Sequence, residues 1–85
     1  MAIEMLYFAW VRERIGKGSE RIDPPTSIAT VDQLIDWLSG LGPEYADVFA
    51  DKTRLRAAID QQFVPIDTAI AGAREIAIFP PVTGG

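Results

Sequence analysis

Only one stretch of this chain has the pattern of a long amphipathic helix, and that helix must supply one whole side of the core. Thr30-Val31-Asp32-Gln33 has the form of a capping box, in which the Thr hydroxyl and the Gln side chain satisfy amides left free at a helix start. Val31, Leu34, Ile35, Leu38 and Leu41 follow at helical spacing, with Trp37 at the edge of the stripe. Gly40 and Gly42 supply the stop. An apolar stripe of this kind is core material rather than a ligand site. The economical way to bury it is to lay it over one face of a sheet, which gives an α+β domain with a mixed sheet.

The rest of the chain supplies that sheet. Ile3 to Trp10 is dense in large apolar residues and predicts a strand, with Ile3, Met5 and Tyr7 on one face and Glu4, Leu6, Phe8 and Trp10 on the other. Glu4 marks its own face as the wetter one, which puts Phe8 on the outer side of the sheet. Val11 to Ile15 makes one helical turn ended by Gly16, and Gly16-Lys17-Gly18 turns the chain into a polar second strand, Ser19 to Asp23. These two strands form an antiparallel hairpin, and Pro24-Pro25 breaks what precedes it.

After the main helix, Pro43 opens a short helix through about Phe49, with Tyr45, Val48 and Phe49 inward. Asp51-Lys52-Thr53 is a polar turn. Arg54 to Asp60 alternates with period two, placing Leu55, Ala57 and Ile59 inside and Arg54, Arg56, Ala58 and Asp60 on a wet face. Gln61-Gln62 turns the chain into a brief return strand, Phe63-Val64, and Asp67 to Arg74 is a loop. Glu75 to Phe79 is the final strand, with Ile76 and Ile78 inward and Phe79 outward. The first and last strands are the most hydrophobic and therefore central. A parallel pairing between them is expected to place the C-terminus at the end of the sheet opposite the first hairpin's turn.

Composition narrows the chemistry. There is no His and no Cys, so neither imidazole acid-base work nor thiolate attack nor a Cys/His metal site is open to the chain. Ser19, Ser27 and Ser39 have no visible base, and the twelve acidic residues are scattered without a paired spacing. Self-contained catalysis and metal binding are not expected. A net charge of -4 disfavours nucleic acid and suits a partner with a basic cleft. No apolar run approaches the ~20 residues that cross a bilayer, and no signal-peptide layout opens the chain, so a cytoplasmic protein is expected, as the lack of Cys also fits.

The remaining feature is the end, Phe79-Pro80-Pro81-Val82-Thr83-Gly84-Gly85. Pro80 fixes its own φ and Pro81 holds Pro80 extended. A Gly pair has no Cβ and can lie in a channel too narrow for other residues. The stretch divides the chain into a domain over residues 1–79 and a semi-rigid stalk over 80–85 tipped by a bare carboxylate.

With this strand order and this end, the chain resembles the ubiquitin-like β-grasp proteins and, among them, the sulfur-carrier small subunits of molybdopterin synthase. The resemblance is carried by Leu6-Tyr7-Phe8-Ala9 with Val11-Arg12-Glu13, by Thr30-Val31 with Leu34, by Leu55 to Ile59, and above all by Glu75 to Gly85. It implies that an ATP-dependent activating enzyme adenylates the Gly85 carboxylate and that a sulfur donor protein converts it to a thiocarboxylate. The large subunit then takes the tail, and the sulfur passes to cyclic pyranopterin monophosphate to build the dithiolene of molybdopterin. No cofactor is bound by the chain itself, and catalysis lies mainly on the large subunit. The resemblance further implies that Pro80, Pro81, Val82 and Thr83 hold the tail extended, that Gly84 and Gly85 thread the active site, and that Phe8, Phe63 and Phe79 dock the partner. Asp60, where the family commonly has Asn, and Gly72-Ala73-Arg74-Glu75, in place of an Asp-Gly-Asp-Glu turn, depart from the pattern and change the charge of a turn.

The same tip serves other ends. A ubiquitin-like modifier joined through Gly85 to lysines, a sulfur carrier for thiazole or cysteine synthesis, and an interaction domain with an inert end are the alternatives, the first two sharing the activation step.

Overall fold

The computed structural model describes residues 2–81; the Val82-Thr83-Gly84-Gly85 part of the expected tail lies outside the described residues. Five strands, β1 (Ile3–Tyr7), β2 (Ser19–Ile22), β3 (Arg56–Ile59), β4 (Gln62–Val64) and β5 (Glu75–Phe79), form one sheet in the order β2-β1-β5-β3-β4. β1 and β5 run parallel, and the other three pairings are antiparallel. Helices α1 (Ala9–Ile15), α2 (Val31–Ser39) and α3 (Pro43–Val48) supply most of the remaining core, giving the ubiquitin-like β-grasp architecture.

α2 is the helix on which the fold depends. Thr30 Oγ1 accepts from the Gln33 amide at 3.2 Å, and Gln33 Oε1 reaches back to the Ala29 amide at 2.7 Å, one residue earlier than the usual box. Val31, Leu34, Ile35 and Leu38 are fully buried, each contributing roughly 1.5–3 kcal/mol of burial. The stripe ends there: Leu41 lies beyond the helix and is 45% exposed. On the outer side of α2, Lys52 bridges Asp32 (2.6 Å) and Asp36 (2.7 Å), one turn apart. This ties a short 3-10 turn, Lys52–Arg54, to the helix.

The structure corrects the expected first strand. β1 stops at Tyr7, and Trp10 belongs to α1, a seven-residue helix rather than one turn. Phe8 stays extended as the residue before the helix, and Ala9 takes a left-handed φ of 55° that turns the chain out of the sheet. Val11 and Ile15 are four apart and both buried, a helical signal that the alternation of Phe8 and Trp10 masks. The third strand is also shorter than expected, because residues 52–54 close a 3-10 turn before β3 begins. Ile70 and Ala73, in the expected loop, are buried in the core.

A further correction concerns the tail. Because β1 and β5 are parallel, with Tyr7 opposite Ile78, the end of β5 lies beside the end of β1. The chain therefore leaves at the same end of the sheet as the α1 connection between β1 and β2, not at the opposite one. The Phe8 amide donates to the Ile78 carbonyl at 3.4 Å at that junction. The opposite end holds the β3–β4 turn, where Asp60 and Gln61 take φ of 48° and 72°, the signature of a type I′ hairpin turn. Asp60, one of the departures from the family pattern, has a structural role there. Its Oδ1 accepts from the Arg74 amide (3.1 Å) and the Glu75 amide (3.0 Å), fixing the start of β5.

One polar cluster went unread in the sequence. Glu20 in β2 faces the helix side, and its Oε2 accepts from both Tyr7 (2.7 Å) and Tyr45 (2.8 Å), tying α3 to the edge of the sheet. Burial alone would raise the Glu20 carboxyl, but these hydrogen bonds and the Lys17 ammonium hold it below its ordinary value. Burial first, and then the bond to Glu20, push the Tyr7 hydroxyl up. A depressed Glu stabilises the fold above its unfolded pKa and loses that contribution as the pH falls through its folded pKa. Thermal unfolding is therefore expected to ease below about pH 4.5, the ordinary glutamate value. Glu20→Gln should flatten this acid limb and cost about 1.5–3 kcal/mol near neutrality, the range for hydrogen bonds to a charged group, or roughly 4–8 °C in Tm per kcal/mol. Melting curves across pH check both effects.

Candidate functional site: an apolar groove at the base of the tail

The face of the sheet away from the helices carries a shallow groove, and the cross-strand register explains its shape. Leu6 pairs with Ala77, Ala77 with Ala58, and Ala58 with Phe63, so these four form one row across β1, β5, β3 and β4. Side chains in one row point the same way, because strand faces alternate and paired residues share a face. The two alanines at the middle make a low floor. The next row towards the chain's end carries Phe79, opposite Arg56, with Phe8 one residue past Tyr7.

Around the alanine floor stand the aromatics. Phe8 is 48% exposed and Phe63 77% exposed. Phe79 is partly covered, with its ring centroid 5.3 Å from that of Phe63 in a tilted pair. Pro80 and Pro81 close the end from which the chain departs, while Gln61 and Glu75 are the polar residues at the far end. The whole encloses about 580 Å³. Its wide opening and its lack of converging charged groups suit a protein surface rather than a small molecule.

The expected residues sort as follows. Phe8, Phe63, Phe79, Pro80 and Pro81 all line this one groove, although Phe63 was reached only through the resemblance. Val82, Thr83, Gly84 and Gly85 lie outside the described residues. Ala58 was expected on a wet face but is 5% exposed, between its strand partners Phe63 and Ala77. Leu6, Ala9, Ala58, Gln61 and Ala77 also line the groove and were not singled out. The outward position of small apolar residues on the two central pairings was the available signal. Among the described residues no cluster of His, Cys, Asp and Glu could hold a metal ion, and no helix is long and apolar enough to cross a membrane.

Comparison with known proteins gives concordant results. Residues 5–85 match the model of the ThiS family. The chain is 35% identical over 83 residues to the molybdopterin synthase sulfur carrier subunit of Haemophilus influenzae, an alignment covering 98% of this chain and 99% of that protein. It is 34% identical over 83 residues to the subunit of the same name from Escherichia coli, with the same coverage. Among solved structures, the small archaeal modifier protein 1 of Haloferax volcanii superposes with a TM-score of 0.73 at 29% identity, covering 95% of this chain and 98% of that one.

Proposed function

The chain belongs to the ThiS family, and from that premise we propose that it is the sulfur-carrying small subunit of a molybdopterin synthase. The single observation that carries the proposal is the placement of an apolar, aromatic-walled groove at the foot of a chain end that reads Pro-Pro-Val-Thr-Gly-Gly. The near full-length match to two molybdopterin synthase sulfur carrier subunits supports it.

In this proposal the chemistry resides in a backbone carboxylate, which is why a chain without His or Cys can take part. A free carboxylate is a poor acyl donor. An activating enzyme joins Gly85 to the α-phosphate of ATP with loss of pyrophosphate, making AMP the leaving group. Sulfur delivered by a donor protein at the oxidation level of sulfide then forms a C–S bond as the C–O bond to AMP breaks, leaving the thiocarboxylate and free AMP. Within the large subunit the C–S bond is broken in turn, sulfur passes to cyclic pyranopterin monophosphate, and water restores the carboxylate. The groove docks the large subunit and the extended tail delivers the tip, so the protein acts as a carried substrate rather than a catalyst.

A modifier role shares the activation step, and likeness to the small archaeal modifier protein 1 of Haloferax volcanii is the observation in its favour. The two separate on what the chain is bound to. Tagged at its N-terminus and expressed in its own cells, it should co-purify with a molybdopterin synthase large subunit in a complex that dissociates in denaturant. A ladder of denaturant-resistant conjugates without that subunit would instead identify a modifier.

A further inference from the structure

The chain holds eight basic residues against twelve acidic ones, so a cation has no shortage of carboxylates to pair with. Three cations do pair: Arg14 lies 3.6 Å from Asp47, Lys17 3.4 Å from Glu20 and Lys52 2.6 Å from Asp32. Of the arginines left without an ion pair among the described residues, Arg56 stands at the aromatic wall of the groove.

Arg56 opens β3 and pairs with Phe79 of β5, two residues before Ala58 of the groove floor, so it belongs to the same outer face. It flanks the Phe63–Phe79 pair on the side away from Phe8, and with those two rings it lines a recess that adjoins the groove. The side chain is exposed yet held. Its Nη1 donates to the Leu55 carbonyl at 2.8 Å and to the Thr53 carbonyl at 3.2 Å. Nε and Nη2 have no acceptor among the described residues, and together they form an edge that receives a carboxylate through two parallel hydrogen bonds. A guanidinium already held by its other nitrogen loses less freedom when that carboxylate arrives.

We propose that Arg56 is a binding residue of the docking face and takes one aspartate or glutamate side chain of the large subunit beside the Phe63–Phe79 wall. The identity of that partner rests on the carrier proposal. Apolar contact within the groove is non-directional. A single charged contact outside its wall fixes which way round the partner lies and rejects a surface that presents a cation there. The sign of Arg56 is opposite to the chain's net charge of -4, so the residue adds local selection rather than long-range attraction.

The test is titration calorimetry of the large subunit with the full chain at low salt, using the wild type, Arg56→Gln, Arg56→Lys and Arg54→Gln. The last makes the same change of net charge two residues away, but Arg54 lies over the Trp10 ring, 4.8 Å from its centroid, and lines neither the groove nor the recess. Arg56→Gln should weaken binding about 5- to 10-fold. Arg56→Lys, which keeps the charge but not the planar fork, should recover part of the loss, and Arg54→Gln should stay within about 2-fold of the wild type. In double-mutant cycles one acidic residue on the large subunit's contact surface should couple to Arg56, its replacement costing affinity beside the wild type and nothing further beside Arg56→Gln. Melting curves certify the fold, and the cycle run from Arg56→Lys decides if Gln loosens the turn before β3. Equal affinity of the wild type and Arg56→Gln, equal losses from the two Gln variants, or coupling to no acidic residue overturns the inference and leaves the carrier proposal standing. A wild type that does not bind the large subunit removes the carrier proposal and this contact with it.

Discussion

Phe8→Glu is expected to weaken binding of the large subunit by about 30-fold or more, the equivalent of about 2 kcal/mol for losing a central aromatic anchor, while leaving the fold intact. Phe8 stands outside the buried core and is half exposed, so its replacement opens no cavity. In the complex, however, a carboxylate would have to be desolvated between Phe79, Pro80 and the partner without a counter-charge in the groove. Titration calorimetry measures the affinity, and a melting curve within the range of an ordinary surface substitution, about ±0.5 kcal/mol, certifies the fold. Leu41→Glu is the control. Leu41 is similarly exposed but does not line the groove, so that variant should bind normally. Equal affinity for Phe8→Glu and the wild type would remove the groove as a docking face.

Deleting Gly85 is expected to have the opposite profile. The groove is untouched, so the large subunit should still bind, with affinity lowered only by lost tail contacts. Sulfur transfer should fall by at least about 100-fold, because the carboxylate is withdrawn by one residue, roughly 3.3–3.6 Å, and a misplacement of even about 1 Å costs on that order. Single-turnover transfer from chemically thiocarboxylated chains measures this. A shortened chain that transfers at the wild-type rate would mean that the tip's position is not part of the chemistry.

These two predictions draw on different layers of the sequence. The outer face of the sheet was legible because strand alternation is rigid: Glu4 marked the wet face, and Phe8 and Phe79 then had to share it. The capped helix was legible because its stripe, from Val31 to Leu38, had no competing pattern. Failures came where two periodicities overlapped or where a contact joined distant segments. Phe8 and Trp10 alternate like strand residues, yet Val11 and Ile15 are spaced like a helix, and the left-handed turn at Ala9 that decides between them has no glycine to announce it. Misplacing the tail's exit was a matter of topology, since a strand parallel to β1 must end beside the end of β1.

The Glu20 cluster could not be read for a third reason. Tyr45 and Glu20 are 25 residues apart, and nothing local in either says that they meet. Asp60 is a related case. Viewed as a departure from a family pattern, it looked like a change in a turn's charge, whereas its carboxylate is engaged by two backbone amides at the start of β5.

The central claim is that the Gly85 carboxylate carries sulfur. The most direct measurement is the intact mass of the protein isolated rapidly from cells that contain its activating enzyme, under conditions that do not hydrolyse a thioacid. The account predicts a population heavier by the exchange of one oxygen for one sulfur, lost on mild hydrolysis and localised to the C-terminal peptide. Only the free acid under those conditions, with the activating enzyme present and active, would contradict it.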